Sequence, residues 1–134
     1  MRPRLSRRIA LSSGLPIGLV LGAAIWVLCR FFTGRDEPWD AAGSYYVMAL
    51  LGSGAVGGFV VPGHWAEVAV GIFSGQAMVL MARVLAEPGS GGLWPLGILL
   101  LALYSLLALL GAGLGSALRR RAAKSGRGES TSGS

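Results

Sequence analysis

The chain has 134 residues and a net charge of +6, with 53% hydrophobic residues, only 13% charged ones and 22 glycines. A soluble domain carries about 25% charged residues, so this chain has too few to cover a water-facing surface. A single cysteine, Cys29, excludes an internal disulfide and a cysteine-rich metal site.

Residues 1–8 form a basic tail carrying Arg2, Arg4, Arg7 and Arg8. "SRRIAL" partly matches a twin-arginine export signal, but no A-x-A cleavage site follows Ile25–Phe32. The apolar segment that begins at Ile9 and runs to Phe32 is therefore expected to stay in place as a helix. A helix crossing about 30 Å of hydrocarbon needs roughly 20 apolar residues, and this segment has one charge, Arg30, near its end. Pro16 removes the backbone bond to Ser12 and predicts a kink there.

"TGRDEPWDAA" leads to a second segment, about Gly43–Val61, whose "GSGAVGG" run suits close packing and alternatively an unwound stretch lining a cavity. Next comes "VVPGHWAE", which holds the only histidine of the chain. Pro62 and Gly63 suit the central positions of a type II turn, with Gly63 at positive φ. His64 falls where the next helix is capped, and Glu67 lies in its first turn, where the helix dipole favours a carboxylate. Trp65 suits the headgroup layer. A metal site would need further ligands nearby in sequence, so the motif reads as a corner rather than a site.

The third segment spans about Trp65–Leu85 and the fourth about Trp94–Leu118, joined by "EPGSGGL". Residues 119–134, "RRRAAKSGRGESTSGS", have nothing apolar to bury, and they are expected to form a disordered basic tail. The chain thus divides into tail 1–8, a membrane domain 9–118 and tail 119–134. The fold class is all-α: a polytopic membrane protein with four transmembrane helices in an up-down bundle. Nine of the twelve basic residues lie in the two tails. The positive-inside rule then places both termini in the cytoplasm and the "RDEPWD" loop outside. Arginine far outnumbers lysine beside abundant Gly and Ala, which points to a GC-rich bacterium and hence to its plasma (inner) membrane.

Each segment carries small residues four apart: Gly14, Gly18 and Gly22; Gly54 and Gly58; Gly71 and Gly75; Gly111 and Gly115. Such pairs let helix backbones approach. Packing within one bundle is the favoured use, and a homo-oligomer interface or a membrane-protein partner the other. The tails have no aromatics to interleave with their arginines, so nucleic acid is not an expected partner. Anionic lipid headgroups are.

Ionisable groups at mid-membrane point to transport, and none occurs here. The deep polar residues include Ser53 and Ser105. Gln76 and Arg83 share a helix face and, with Ser74 and Tyr104, define a candidate polar track for a small solute. Arg83 and Glu87 are spaced to pair. Asp36, Glu37 and Asp40 cluster in the outer loop as a solvated turn. No catalytic constellation is present, so no enzyme and no cofactor is expected.

Four spans in so short a chain are similar to the small multidrug resistance transporters and the bacterial fluoride channels. The first segment, "LPIGLVLGAAIWVLC", lacks the acid of the former and the Arg-ending glycine motif of the latter. "GGFVVPGHWAEVAVGIFSGQ", Gly57–Gln76, more closely resembles the hairpin of small uncharacterised bacterial four-helix membrane proteins. That resemblance implies no activity. The expected function is a non-enzymatic accessory or structural membrane component, with a small-solute transporter or channel as the alternative.

Overall fold

The computed structural model describes residues 14–41, 44–87, 89 and 91–129. They form four α-helices and two short 3-10 turns, with no strand among them. Helix α1 is Gly14–Thr33, α2 Tyr45–Val60, α3 Trp65–Ala86 and α4 Trp94–Glu129; the 3-10 turns are Pro38–Asp40 and Gly91–Leu93. α1, α3 and α4 are long and apolar enough to cross a membrane, whereas α2 is a shorter apolar helix of 16 residues. At 1.5 Å per residue it is about 24 Å long. It runs unbroken through "GSGAVGG". Pro16 sits in the first described turn of α1; Ser12 and the arginines of residues 1–8 lie outside the described residues.

The helices alternate in direction along the chain, yet the closest partners are not the consecutive ones. α1 packs mainly on α3, α2 on α4, and α3 joins the two pairs through α4. Within each pair the helices run parallel. Gly18 meets Val68 and Gly71, and Gly22 further along meets Ile72; Gly54 meets Ala108, and Gly58 meets Ala112. The contacts are backbone to backbone. A Cβ added at Gly18, Gly22, Gly71 or Gly75 would fall on a carbonyl oxygen of the facing helix, and so would one at Gly54, Gly58, Gly111 or Gly115. Gly14 approaches the His64 carbonyl oxygen at 2.8 Å from a would-be Cβ. All nine glycines of the G-x-x-x-G stripes thus face partners within the chain. Lipid offers no hydrophobic drive to bring helices together, so such close backbone seams supply the cohesion.

The second hairpin therefore repeats the first. Gly71 and Gly75 follow Gly18 and Gly22 by 53 residues, and Gly111 and Gly115 follow Gly54 and Gly58 by 57. Each helix lies beside its counterpart. Between the seams the core holds Ile25, Trp26, Leu50, Val68, Ile72, Leu101 and Ala108.

Two expectations are corrected. Gly63 does not adopt positive φ; Gly34, at φ 67°, is the one such glycine among the described residues. The His64 amide donates to the Val61 carbonyl at 3.0 Å, which closes a β-turn over Pro62 and Gly63. With negative φ at Gly63 it is not type II. The corner is fastened from outside: Ser116 Oγ and Arg120 both donate to the Pro62 carbonyl, at 2.8 and 3.3 Å.

The second correction concerns the expected disordered tail. α4 continues through the charged run to Glu129. Arg, Ala and Lys are good helix formers, and extending an existing helix avoids the nucleation cost. Arg119 over the Phe59 ring at 5.1 Å and Arg120 on Pro62 anchor the first added turn. Residues 130–134 lie outside the described residues.

Candidate functional site

Two polar features occupy the bundle, one above the other. The deeper one joins three helices. Tyr46 of α2 donates its hydroxyl to Gln76 Oε1 of α3 at 2.6 Å, and the Tyr104 ring of α4 lies 4.9 Å from that of Tyr46. Gln76 is fully buried, and its amide nitrogen donates to the Ile72 carbonyl at 3.4 Å. A buried amide bonded through both ends meets the requirement that polar groups in an apolar interior be paired. The group is neutral, and it pins three helices in register.

Of the expected track, Gln76 and Tyr104 come together here, and Arg83 lies two turns along α3. Ser74 does not join them; its hydroxyl donates to the Val70 carbonyl of its own helix at 2.8 Å. Tyr46 was missing from the expected set. A Tyr-Tyr pair opening a helix reads as a membrane-interface belt, and only the phase of α2 turns Tyr46 inward. Its neighbour Tyr45 reaches the Ile25 carbonyl at 3.0 Å.

The upper feature is a cavity of about 890 Å³ at the loop end of the bundle. Three guanidiniums line it, Arg30, Arg35 and Arg83, with four carboxylates, Asp36, Glu37, Asp40 and Glu87. Leu80 and Leu100 line it too, one helical turn from Gln76 and Tyr104 respectively. Buried Pro38 and Ala41 hold the connecting loop against the bundle. Asp36 Oδ1 lies 3.7 Å from Arg30 and 3.9 Å from Arg83. Arg83 also covers the buried Trp26 ring at 5.2 Å from its centroid. Arg30 and Arg83 each stand in the last turn of their helix, where the dipole favours a cation.

His64 stands at the N-cap of α3, with Nδ1 3.3 Å from Glu67 Oε1. The described residues contain no group of three or more metal-ligating side chains. Chemically, the charged cavity can bind and orient ions, and the Tyr46–Gln76 pair can lock helices. Compared with known proteins, the chain matches no family model, no curated protein and no solved structure.

Proposed function

We propose that the chain is a multi-pass protein of the bacterial inner membrane with four spans and cytoplasmic termini, acting as a non-enzymatic accessory or structural component. The observation that carries this reading is the closed interior. Between the level of Arg30 and Arg83 and that of Glu67, the helices hold no ionisable side chain except Tyr45, Tyr46 and Tyr104 phenols and the Cys29 thiol. Glycine seams bring the backbones into contact, and the Tyr46–Gln76 junction between the helices is neutral and internally bonded. A pump or carrier would want a charged relay at that depth. Beyond the apolar part of α4, Arg120, Lys124 and Arg127 share a face at three- and four-residue spacing. They suit anionic headgroups, at about 1 kcal/mol per basic residue near the surface. Because the glycine stripes are occupied within the chain, a homo-oligomer or membrane-protein partner would meet aliphatic faces instead.

The cavity favours a second reading, a small-solute transporter with that cavity as its mouth and Gln76 and Tyr104 beneath it. One pair of measurements tests both. A cysteine replacing Arg35 is expected to react with an impermeant thiol reagent outside intact cells, and one replacing Gly126 is not; native Cys29 is buried and contributes no background. Purified protein in liposomes is expected to pass no protons, sodium, potassium or chloride. Flux that Gln76→Leu abolishes with the fold intact would replace the accessory reading with the transporter.

A further inference from the structure

We propose that the charged cavity binds the zwitterionic headgroup of a phospholipid such as phosphatidylethanolamine, with its phosphate between Arg30 and Arg83 and its ammonium among the carboxylates. The inference rests on the membrane reading above. Arg30 and Arg83 are 53 residues apart, the interval that relates α1 to α3, so they are counterparts in the two halves. They approach a common centre and share one oxygen there. At 3.7 and 3.9 Å that oxygen is outside the roughly 2.7–2.9 Å of a charge-assisted hydrogen bond. A single planar carboxylate on a loop fills the gap poorly. A tetrahedral phosphate presents several oxygens and can meet both guanidiniums at once. Asp36 is then an internal stand-in that the ligand displaces, and its exposed ion pairs are weak enough to yield.

The other charges choose the ligand class. Three guanidiniums and four carboxylates line the cavity, so a bare anion meets a net negative wall and a bare cation meets the arginine pair. A molecule carrying both charges matches both. The remaining wall favours a lipid over a free zwitterion: Leu93, Trp94 and Leu96 line the same cavity while 73%, 46% and 51% exposed. Such a flank is suited to the glycerol backbone and upper acyl chains, beside a tryptophan at headgroup depth. A volume of about 890 Å³ also lies within the usual range of ligand pockets, about 300–1,000 Å³.

The test is native mass spectrometry of the full chain released from detergent with equimolar phosphatidylethanolamine and phosphatidylglycerol, the latter lacking the ammonium. Wild type is expected to retain the ethanolamine lipid about ten-fold over the glycerol lipid. R30Q, at an exposed helix end, should lower that retention. D36A should raise it, by about two- to five-fold, because loss of a weak surface ion pair frees the arginines. Circular dichroism confirms that both variants keep the helical fold. Soluble phosphoethanolamine should displace the lipid only in large excess. Equal retention of the two lipids, or weaker retention by D36A, overturns the proposal. Displacement by equimolar phosphoethanolamine overturns the lipid as the source of the headgroup.

Discussion

Replacing Gly58 by alanine tests whether backbone packing along the seams holds the bundle together. The added Cβ would fall on the Ala112 carbonyl oxygen, with the carbonyl carbon at 2.7 Å and Cα at 2.8 Å. Ordinary van der Waals separation begins near 3.4 Å, and the carbonyl oxygen lies closer still, so α2 and α4 must part by more than about 1 Å. Overpacking of this kind costs about 1–3 kcal/mol, and each Cα–H···O interaction that breaks along the seam adds about 0.5–1 kcal/mol. Alanine returns about 0.8–1 kcal/mol of helix propensity, leaving a net loss of about 1–3 kcal/mol. Gly52, on the same helix, is the control. Nothing lies within 4 Å of its would-be Cβ, so Gly52→Ala should stabilise by up to about 1 kcal/mol. The two variants should therefore differ by about 1–4 kcal/mol. Equilibrium unfolding in mixed dodecyl sulfate and mild detergent, followed by tryptophan fluorescence, reads this directly because Trp26 is buried. Gly115→Ala, set against the Ala55 carbonyl, should behave like Gly58→Ala. If Gly58→Ala is as stable as Gly52→Ala, the seams are not what holds α2 to α4.

In a double-mutant cycle, Tyr46→Phe and Gln76→Leu should show a coupling of about 0.6–2 kcal/mol, the range of interhelical hydrogen bonds in membranes; additive losses would mean that the bond contributes nothing. Gly63→Ala should change stability by less than about 0.5 kcal/mol, as a surface substitution does, since φ is negative and its Cβ meets nothing within 4 Å. His64→Ala removes one partly exposed interaction with Glu67 and should cost less than about 1 kcal/mol; thermal unfolding in detergent checks both, and a larger loss at Gly63 would refute the assigned turn.

The positions of the helices were readable because Pro, Gly and charge punctuate the apolar runs. The third and fourth segments start where α3 and α4 start, at Trp65 and Trp94, and the expected end at Leu85 is one residue short of Ala86. Which helices touch was not readable. A G-x-x-x-G stripe says that a backbone comes close but not whose, and neighbours in sequence are the natural first guess. Only the packing in space separates the parallel pairs α1–α3 and α2–α4 from the antiparallel hairpins. The charged cavity was hidden for a related reason. In sequence Arg83 belongs to the Gln76 track, Asp36 to a solvated acidic turn and Arg30 to the end of the first segment, and the interval of 53 that makes the two arginines counterparts emerges only from the packing register of α1 on α3.

That register also explains where the halves had freedom to differ. A side chain added at a seam glycine would meet backbone, and eight of the nine have glycine at the counterpart position as well; Gly14, opposite Glu67, is the exception. Away from the seams the constraint lapses. Leu103 stands in α4 where Tyr46 stands in α2, at the interval of 57, and Ala23 stands in α1 where Gln76 stands in α3, at the interval of 53. The buried bond is therefore made once, off the pseudo-symmetry, while the arginines occur twice and meet near it. A repeated arginine pair over a single neutral lock suits the proposed reading, in which the protein holds something at its mouth and passes nothing through its middle.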